Sequence, residues 1–187
     1  MPTFITGLPL HVLVVHAVVV LVPLAAIGTL VIAARPATRP RWGWPVVILA
    51  AVATATVPIA TSTGDGLEHN LPRTPAMATH TELGDQLLPF AAAMFVFVAA
   101  LMFLERYRRR AAGEFARDSG PGAVSTRRAL GGRARLGVVA RGVLAAVFAV
   151  VTTVQVVRIG DTGARAAWGD THYAPQPRHR PAAGTGG

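Results

Sequence analysis

The sequence contains no cysteine and no lysine, and it has few charged residues of any kind. Without cysteine, the 187-residue chain can form no disulfide, no thiolate metal site and no cysteine nucleophile. Charged residues make up 14% of the chain, whereas an ordinary soluble domain has about 25%. All 18 basic residues are arginine, and with nine acidic residues they give a net charge of +9. This scarcity of charge argues against a soluble globular protein.

Charge is missing altogether from four long stretches. They are residues 1–34, 42–64, 86–104 and 142–157. A helix needs about 20 mainly apolar residues to cross a hydrocarbon core about 30 Å thick. The fourth stretch reaches that length if its helix begins near Leu136 and the long side chain of Arg141 extends back to the interface. The sequence therefore predicts an all-α bundle of four transmembrane helices.

The predicted helices belong to one membrane domain over residues 1–170. They span residues 8–34, 43–63, 80–106 and 136–160. Thr79 and Glu82 have the spacing of a capping box at the start of the third helix. We expect an Arg-rich loop at 111–135 to be mobile and the Pro- and Gly-rich tail at 171–187 to be disordered. No repeat is visible beyond two helical hairpins.

The arginines lie mostly on one side of the predicted bundle. The loops after the first and third helices, together with Arg141, carry thirteen arginines, and the other loop and the C-terminal tail carry five. Because arginine and lysine are enriched on the cytoplasmic side of a membrane, we expect an up-down bundle in the plasma membrane with both termini outside. The helices would contact the lipid bilayer, and the inner loops would contact anionic lipid headgroups rather than nucleic acid. A homo-oligomer and a complex with another membrane protein are both compatible with the sequence.

Imidazoles and carboxylates gather at the outer ends of the predicted helices. His11 and His16 lie near the outer end of the first helix, His80 and Glu82 open the third, and Asp161 ends the fourth. His16 lies roughly 10 Å inside the start of its helix at 1.5 Å per residue. At that depth an ionisable side chain usually faces the bundle interior.

This arrangement suggests a transition metal or haem in the outer half of the bundle. The metal ligands would be His11, His16, His80, Glu82 and Asp161, and His16 and His80 would also bind a haem. Neutral imidazole is a common ligand of Zn, Cu and Fe, and bundle cores often hold such sites. The structural alternative is that His16 hydrogen-bonds to the second helix, while His80 and Glu82 only cap the third.

Residues 8–16, with the sequence LPLHVLVVH, resemble a motif of a known family. The chain resembles the bacterial domain of unknown function 2231 family of membrane proteins, which have four transmembrane helices and a Leu-His-Pro-x-x-Val-His motif. Val12 replaces the proline of that motif. His80 resembles the family's helix-three histidine, and Asp161 stands where its Gly-His-x-Gly motif often has histidine. The resemblance implies a fold and a location but no activity. Asp161 argues against a bis-imidazole haem that uses helix four, and it is compatible with a mixed histidine and carboxylate metal site.

Three functions are compatible with the sequence. The first is a module that holds a metal or a haem, and the second is a structural or accessory subunit that docks through small-residue helix faces. The third is a transporter component, or a membrane enzyme that uses His16 or His80 in proton transfer. No nucleophile with a positioned base is recognisable, so a non-enzymatic role is favoured.

Overall fold

The described part of the chain consists almost entirely of four helices. The computed structural model describes the backbone of residues 4–5, 8–68, 74–118 and 124–168, and the side chains of residues 10–66, 74–113 and 136–168. The chain begins with two short antiparallel strands, β1 (Phe4–Ile5) and β2 (Leu8–Pro9). The four helices are α1 (Leu10–Ala34), α2 (Arg39–Glu68), α3 (Pro75–Asp118) and α4 (Val124–Trp168), and a 3-10 turn at Pro36–Thr38 connects α1 to α2. All four described helices are long and apolar enough to cross a membrane. The predicted all-α transmembrane fold is confirmed.

The helices pack in chain order around the bundle. Each helix contacts the next, and α1 also packs against α4, which closes the ring. Small and medium-sized residues such as Val22, Ala50 and Ala149 fill the interior, so the helices can approach closely. The outer surface carries large aliphatic side chains such as Val20 and Val157. Such a surface suits contact with lipid tails, which are equally apolar.

The first hairpin, α1 and α2, and the second hairpin, α3 and α4, bury residues at equivalent positions along their helices. Matched residues of α1 and α3 are 69 positions apart: Val18, Val22, Ala25, Thr29 and Ile32 match Leu87, Ala91, Met94, Val98 and Leu101. Matched residues of α2 and α4 are 99 positions apart: Val46, Ala50, Ala53 and Val57 match Ala145, Ala149, Thr152 and Val156. Few matched positions carry the same residue type, so the repeat is visible in the burial pattern and is easily missed in the sequence.

Helix α3 begins five residues earlier than predicted, and the predicted capping box is wrong. Thr74 caps the helix instead, because the Met77 amide donates to its Oγ1 at 3.2 Å. Pro75 follows in the first turn, where its missing N–H costs nothing. The Thr79 hydroxyl donates to the Pro75 carbonyl at 3.0 Å, inside the helix. His80 therefore lies in the second turn of α3, where its side chain can reach a neighbouring helix.

The predicted loop at 111–135 is largely helical. Helix α3 continues to Asp118 and α4 begins at Val124, and residues 119–123 lie outside the described residues. Alanine and arginine are strong helix formers, so a segment rich in both extends the two helices past their apolar spans. The mobility of this segment stays a prediction. The predicted disordered tail at 171–187 lies outside the described residues.

Candidate functional site

His11 lies at the start of α1, against the last turns of α2. Its Nδ1 is 3.0 Å from the carbonyl oxygen of Ala60 and 3.4 Å from the hydroxyl oxygen of Thr63. A carbonyl oxygen can only accept a hydrogen bond, so Nδ1 carries the proton and donates it. A Cβ atom at Gly64 would lie 3.0 Å from Cε1 of the ring. The glycine therefore makes room for the imidazole.

His80 occupies the corresponding place between α3 and α4. Its Nδ1 is 3.1 Å from the carbonyl oxygen of Ile159 and 3.4 Å from the hydroxyl oxygen of Thr162. A Cβ atom at Gly163 would lie 2.9 Å from Cε1 of this ring. A carbonyl, a hydroxyl and a glycine thus hold the second imidazole as they hold the first. We call His11 and His80 the histidine pair.

The two imidazole sites use the same spacing along their partner helices. In each site, threonine follows the accepting residue by three positions and glycine follows it by four. Residues with this spacing share one face of a helix. The threonine hydroxyl donates to the same carbonyl oxygen as the imidazole, at 2.9 Å from Thr63 and 3.0 Å from Thr162. The second hairpin therefore reproduces the first site almost atom for atom.

Each imidazole of the histidine pair keeps one nitrogen for a ligand. Because Nδ1 holds the proton, the lone pair lies on Nε2, and this nitrogen has no hydrogen-bond partner among the residues that the structure describes. A metal-bound histidine usually has its other nitrogen hydrogen-bonded to a carbonyl or carboxylate, as here. Each ring lies in the first turns of its own helix, against the last turns of the next helix in the chain. This end of the bundle therefore presents two oriented imidazoles.

The comparison with protein families agrees with the fold. A family described as predicted membrane protein (DUF2231) matches residues 7–174, which include both hairpins and the histidine pair. The chain belongs to this family. The match confirms the resemblance that residues 8–16 carry. No curated protein and no solved structure matches the chain.

In this DUF2231 protein, His16 lies apart from the histidine pair. Its side chain is exposed on the outer face of α1, and its Nδ1 is 2.6 Å from the carbonyl oxygen of Val12 on the same helix. The expectation that His16 faces the interior is wrong. Five positions turn a side chain about 140° around a helix, and His11 is the one that faces α2.

The predicted carboxylate ligands are exposed. Glu82 is exposed on α3, and Asp161 is 59% exposed and pairs with Arg165 at 3.0 Å. Within the described residues, no three His, Asp or Glu side chains are grouped as a metal site. Of the five predicted ligands, His11 and His80 occupy equivalent places in the two hairpins, whereas His16, Glu82 and Asp161 are exposed.

The threonine and glycine partners in this DUF2231 protein were missed in the sequence. Thr63–Gly64 and Thr162–Gly163 each lie in the last turns of a helix and opposite a histidine. The occurrence of the same Thr-Gly pair near the ends of two apolar helices was the signal that could have identified these partners. A Thr-Gly pair by itself is typical of an ordinary helix end, and only the histidine of the neighbouring helix shows that it forms an imidazole site.

Proposed function

We propose that this DUF2231 protein is a membrane-embedded binding module that holds one transition metal ion, free or as the iron of a haem, between His11 and His80. The observation that carries the proposal is the matched pair of Nδ1 hydrogen bonds, which leaves both Nε2 atoms without a partner among the described residues. Imidazole nitrogen suits Zn, Cu and Fe alike. Two imidazoles leave the remaining coordination positions of the metal to a porphyrin, to water or to a substrate.

The restraint on both rings supports a role in ligand binding. Each imidazole is held by a carbonyl and packed against a glycine, Gly64 or Gly163. A side chain that is already ordered loses less conformational entropy when it binds a ligand. A purely structural histidine needs its hydrogen bond but gains nothing from an open second nitrogen. The open Nε2 atoms therefore favour a ligand.

The distribution of arginines favours a location of the histidine pair on the outer side of the membrane. Thirteen arginines on one side against five on the other favour a plasma-membrane orientation with the arginine-rich end in the cytoplasm and both termini outside. In that orientation the histidine pair belongs to the outer half of the bundle. A metal or haem would then enter from outside the cell.

A structural or accessory subunit without a cofactor is the second candidate. His16 favours it, because an exposed imidazole on an apolar helix face offers a hydrogen-bonding group to a partner helix. The small residues expected to form docking faces weigh against it, since Ala50, Ala53 and Ala145 are buried inside the bundle. A third role, as a transporter component, gains no support from the described residues.

Metal analysis of the purified protein tests the proposal. The full-length protein is expressed with haem and transition metals available, purified in detergent, and examined for metal per chain and for its visible spectrum. We expect about one metal ion per chain, as a site with two protein imidazole ligands predicts. A Soret band identifies haem, and stoichiometric metal without that band identifies a free ion.

The ligands are tested with a matched pair of variants. His11→Ala combined with His80→Ala should abolish the bound metal. The His16→Ala variant should retain it, because the His16 side chain is exposed on the face of α1 that points away from the bundle interior. Metal that survives the double substitution would show that other residues bind it. Wild-type protein with neither metal nor a Soret band would overturn the proposal in favour of the accessory subunit.

A further inference from the structure

Arg39 closes the end of the bundle opposite the histidine pair. Its side chain is buried, with 5% of its surface exposed. Nε donates to the carbonyl of Ile32 at 2.8 Å and Nη2 donates to that of Ala33 at 3.2 Å. These carbonyls belong to the last turn of α1, where helix carbonyls have no partner of their own and carry partial negative charge. Nη1 lies 3.6 Å from a carboxylate oxygen of Glu105.

A pocket of about 400 Å³ opens beside this contact, between the start of α2 and the basic part of α3. We call it the arginine pocket. Its α2 wall includes Arg39 and Trp44, and its α3 wall includes Glu105, Arg106, Arg109 and Arg110. Its volume lies within the range of small-molecule sites, which is about 300–1,000 Å³.

The arginine pocket carries an excess of positive charge. Glu105 is its one carboxylate, and that group already contacts both Arg39 and Arg109, the latter at 3.0 Å. Arg106 and Arg110 have no carboxylate partner among the described residues. Like charges at adjacent positions on one helix face repel each other. A bound anion would relieve this repulsion.

Two of the residues that line the arginine pocket are apolar. They are Trp44 on α2 and Met102 on α3, and the Trp44 ring packs edge-to-face on Phe103 with centroids 5.1 Å apart. Tryptophan is typical of the membrane–water interface. The pocket therefore changes from cationic to apolar where a phospholipid changes from phosphate to acyl chain.

We propose that the arginine pocket binds a phosphate group, and that this phosphate is the headgroup of an anionic phospholipid lying against α2 and α3. Arginine recognises phosphate through paired N–H donors, and basic pockets between transmembrane helices bind lipid headgroups. A free phosphate ion would satisfy the arginines but would leave the apolar side of the pocket uncovered. This site is independent of the histidine pair and of any metal.

Lipid binding to the full-length protein in detergent, measured by native mass spectrometry, tests the proposal. The probes are phosphatidylglycerol, which carries a net negative charge, and phosphatidylcholine, which carries none. We expect phosphatidylglycerol to bind at least about tenfold more tightly, because each arginine near an anionic lipid strengthens binding severalfold. Equal binding of the two lipids would overturn the proposal.

Two double variants separate the pocket from general positive charge. Arg106→Gln with Arg110→Gln removes two charges from the pocket, and both residues are exposed, so the fold is retained. Arg41→Gln with Arg108→Gln removes two charges at the same end of the bundle but outside the pocket lining. We expect the first variant to bind phosphatidylglycerol about tenfold more weakly and the second to bind it nearly as wild type.

Two further outcomes would contradict the proposal. An equal loss in the two double variants would mean that the lipid responds to charge alone and not to the pocket. Inorganic phosphate is added at millimolar concentration as a competitor. If it displaces phosphatidylglycerol completely, the phosphate of this pocket comes from solution and the lipid assignment is wrong.

Discussion

The imidazole of His80 donates its Nδ1 proton to the carbonyl oxygen of Ile159 across the interface of α3 and α4, at 3.1 Å. His11 makes the same bond to Ala60 across α1 and α2, at 3.0 Å. Each bond ties the beginning of one helix to the last turns of its hairpin partner. The histidine pair therefore stabilises the bundle before any ligand binds. Variants that displace an imidazole test this structural contribution separately from the proposed ligand binding.

Gly163→Ala should displace His80 and destabilise the protein. The new Cβ atom would lie 2.9 Å from Cε1 and 3.1 Å from Nδ1 of the imidazole, so the ring must shift and its bond to Ile159 is weakened or broken. A hydrogen bond lost at a partly buried site costs about 1–2 kcal/mol, and alanine in place of a helical glycine regains about 0.5–1 kcal/mol. We therefore expect a net loss of up to about 1.5 kcal/mol in the free energy of unfolding. Thermal unfolding in detergent measures it.

Gly160→Ala is the matched control on the same helix. Nothing lies within 4 Å of a Cβ atom at this position. Alanine in place of a helical glycine should raise the stability by about 0.5–1 kcal/mol, because the unfolded chain loses freedom. If the two substitutions shift the unfolding temperature in the same direction, Gly163 does not hold the imidazole in the way described.

The fold could be predicted from the sequence because its main signal is local. Charge-free segments long enough to span a bilayer stand out without any knowledge of packing, and α1 ends at Ala34 as predicted. The end of α3 was harder to predict. Beyond Arg110 the residues favour a helix as much as a loop, and no proline between Arg110 and Asp118 marks where the helix should end.

The candidate site could be predicted only in part. His11 and His80 attract attention because an imidazole is rare among apolar residues. Their real partners are backbone carbonyls and glycines, which have no functional side chain to read in the sequence. His16 was placed wrongly because depth in the membrane does not determine which side of the helix faces the bundle.

Arg39→Ala should open the end of the bundle that holds the arginine pocket. The substitution removes donors from the Ile32 and Ala33 carbonyls and leaves Glu105 with Arg109 alone. We expect a loss of about 2–3 kcal/mol, since hydrogen bonds from a charged group contribute about 1.5–3 kcal/mol. Chemical denaturation in detergent measures it.

Arg41→Ala serves as the control for Arg39→Ala. Arg41 is exposed and lies 5.8 Å from the centroid of the Trp42 ring. Its removal should cost no more than about 1 kcal/mol, the upper range of an exposed cation–π contact. Equal costs for the two substitutions would mean that the buried contacts of Arg39 do not hold α1 and α3 together.

The proposed orientation predicts the position of the C-terminus. A reporter enzyme that is active only outside the cytoplasm should be active when it is fused after Gly187, because the arginine-rich loops hold the other side in the cytoplasm. A fluorescent reporter that folds only in the cytoplasm should stay dark at the same position. The opposite pattern would place the histidine pair on the cytoplasmic side and reverse the proposed route of the metal.

Thr29→Val should stabilise the protein. Thr29 Oγ1 is buried and has no hydrogen-bond partner among the described residues. The matched position of the second hairpin carries Val98. Valine has nearly the shape of threonine, so the substitution removes a desolvated hydroxyl without leaving a cavity, and we expect a gain of about 1 kcal/mol.

Thr152→Val is the control, because that buried hydroxyl donates to the Phe148 carbonyl at 2.6 Å. Here valine removes a hydrogen bond together with the hydroxyl, and the net change should be close to zero or a small loss of stability. The comparison is made by thermal unfolding of both variants in the same detergent. If Thr29→Val is the more destabilising of the two, the Thr29 hydroxyl makes a hydrogen bond in the folded protein. The equal burial of Thr29 and Val98 would then not make the two positions equivalent.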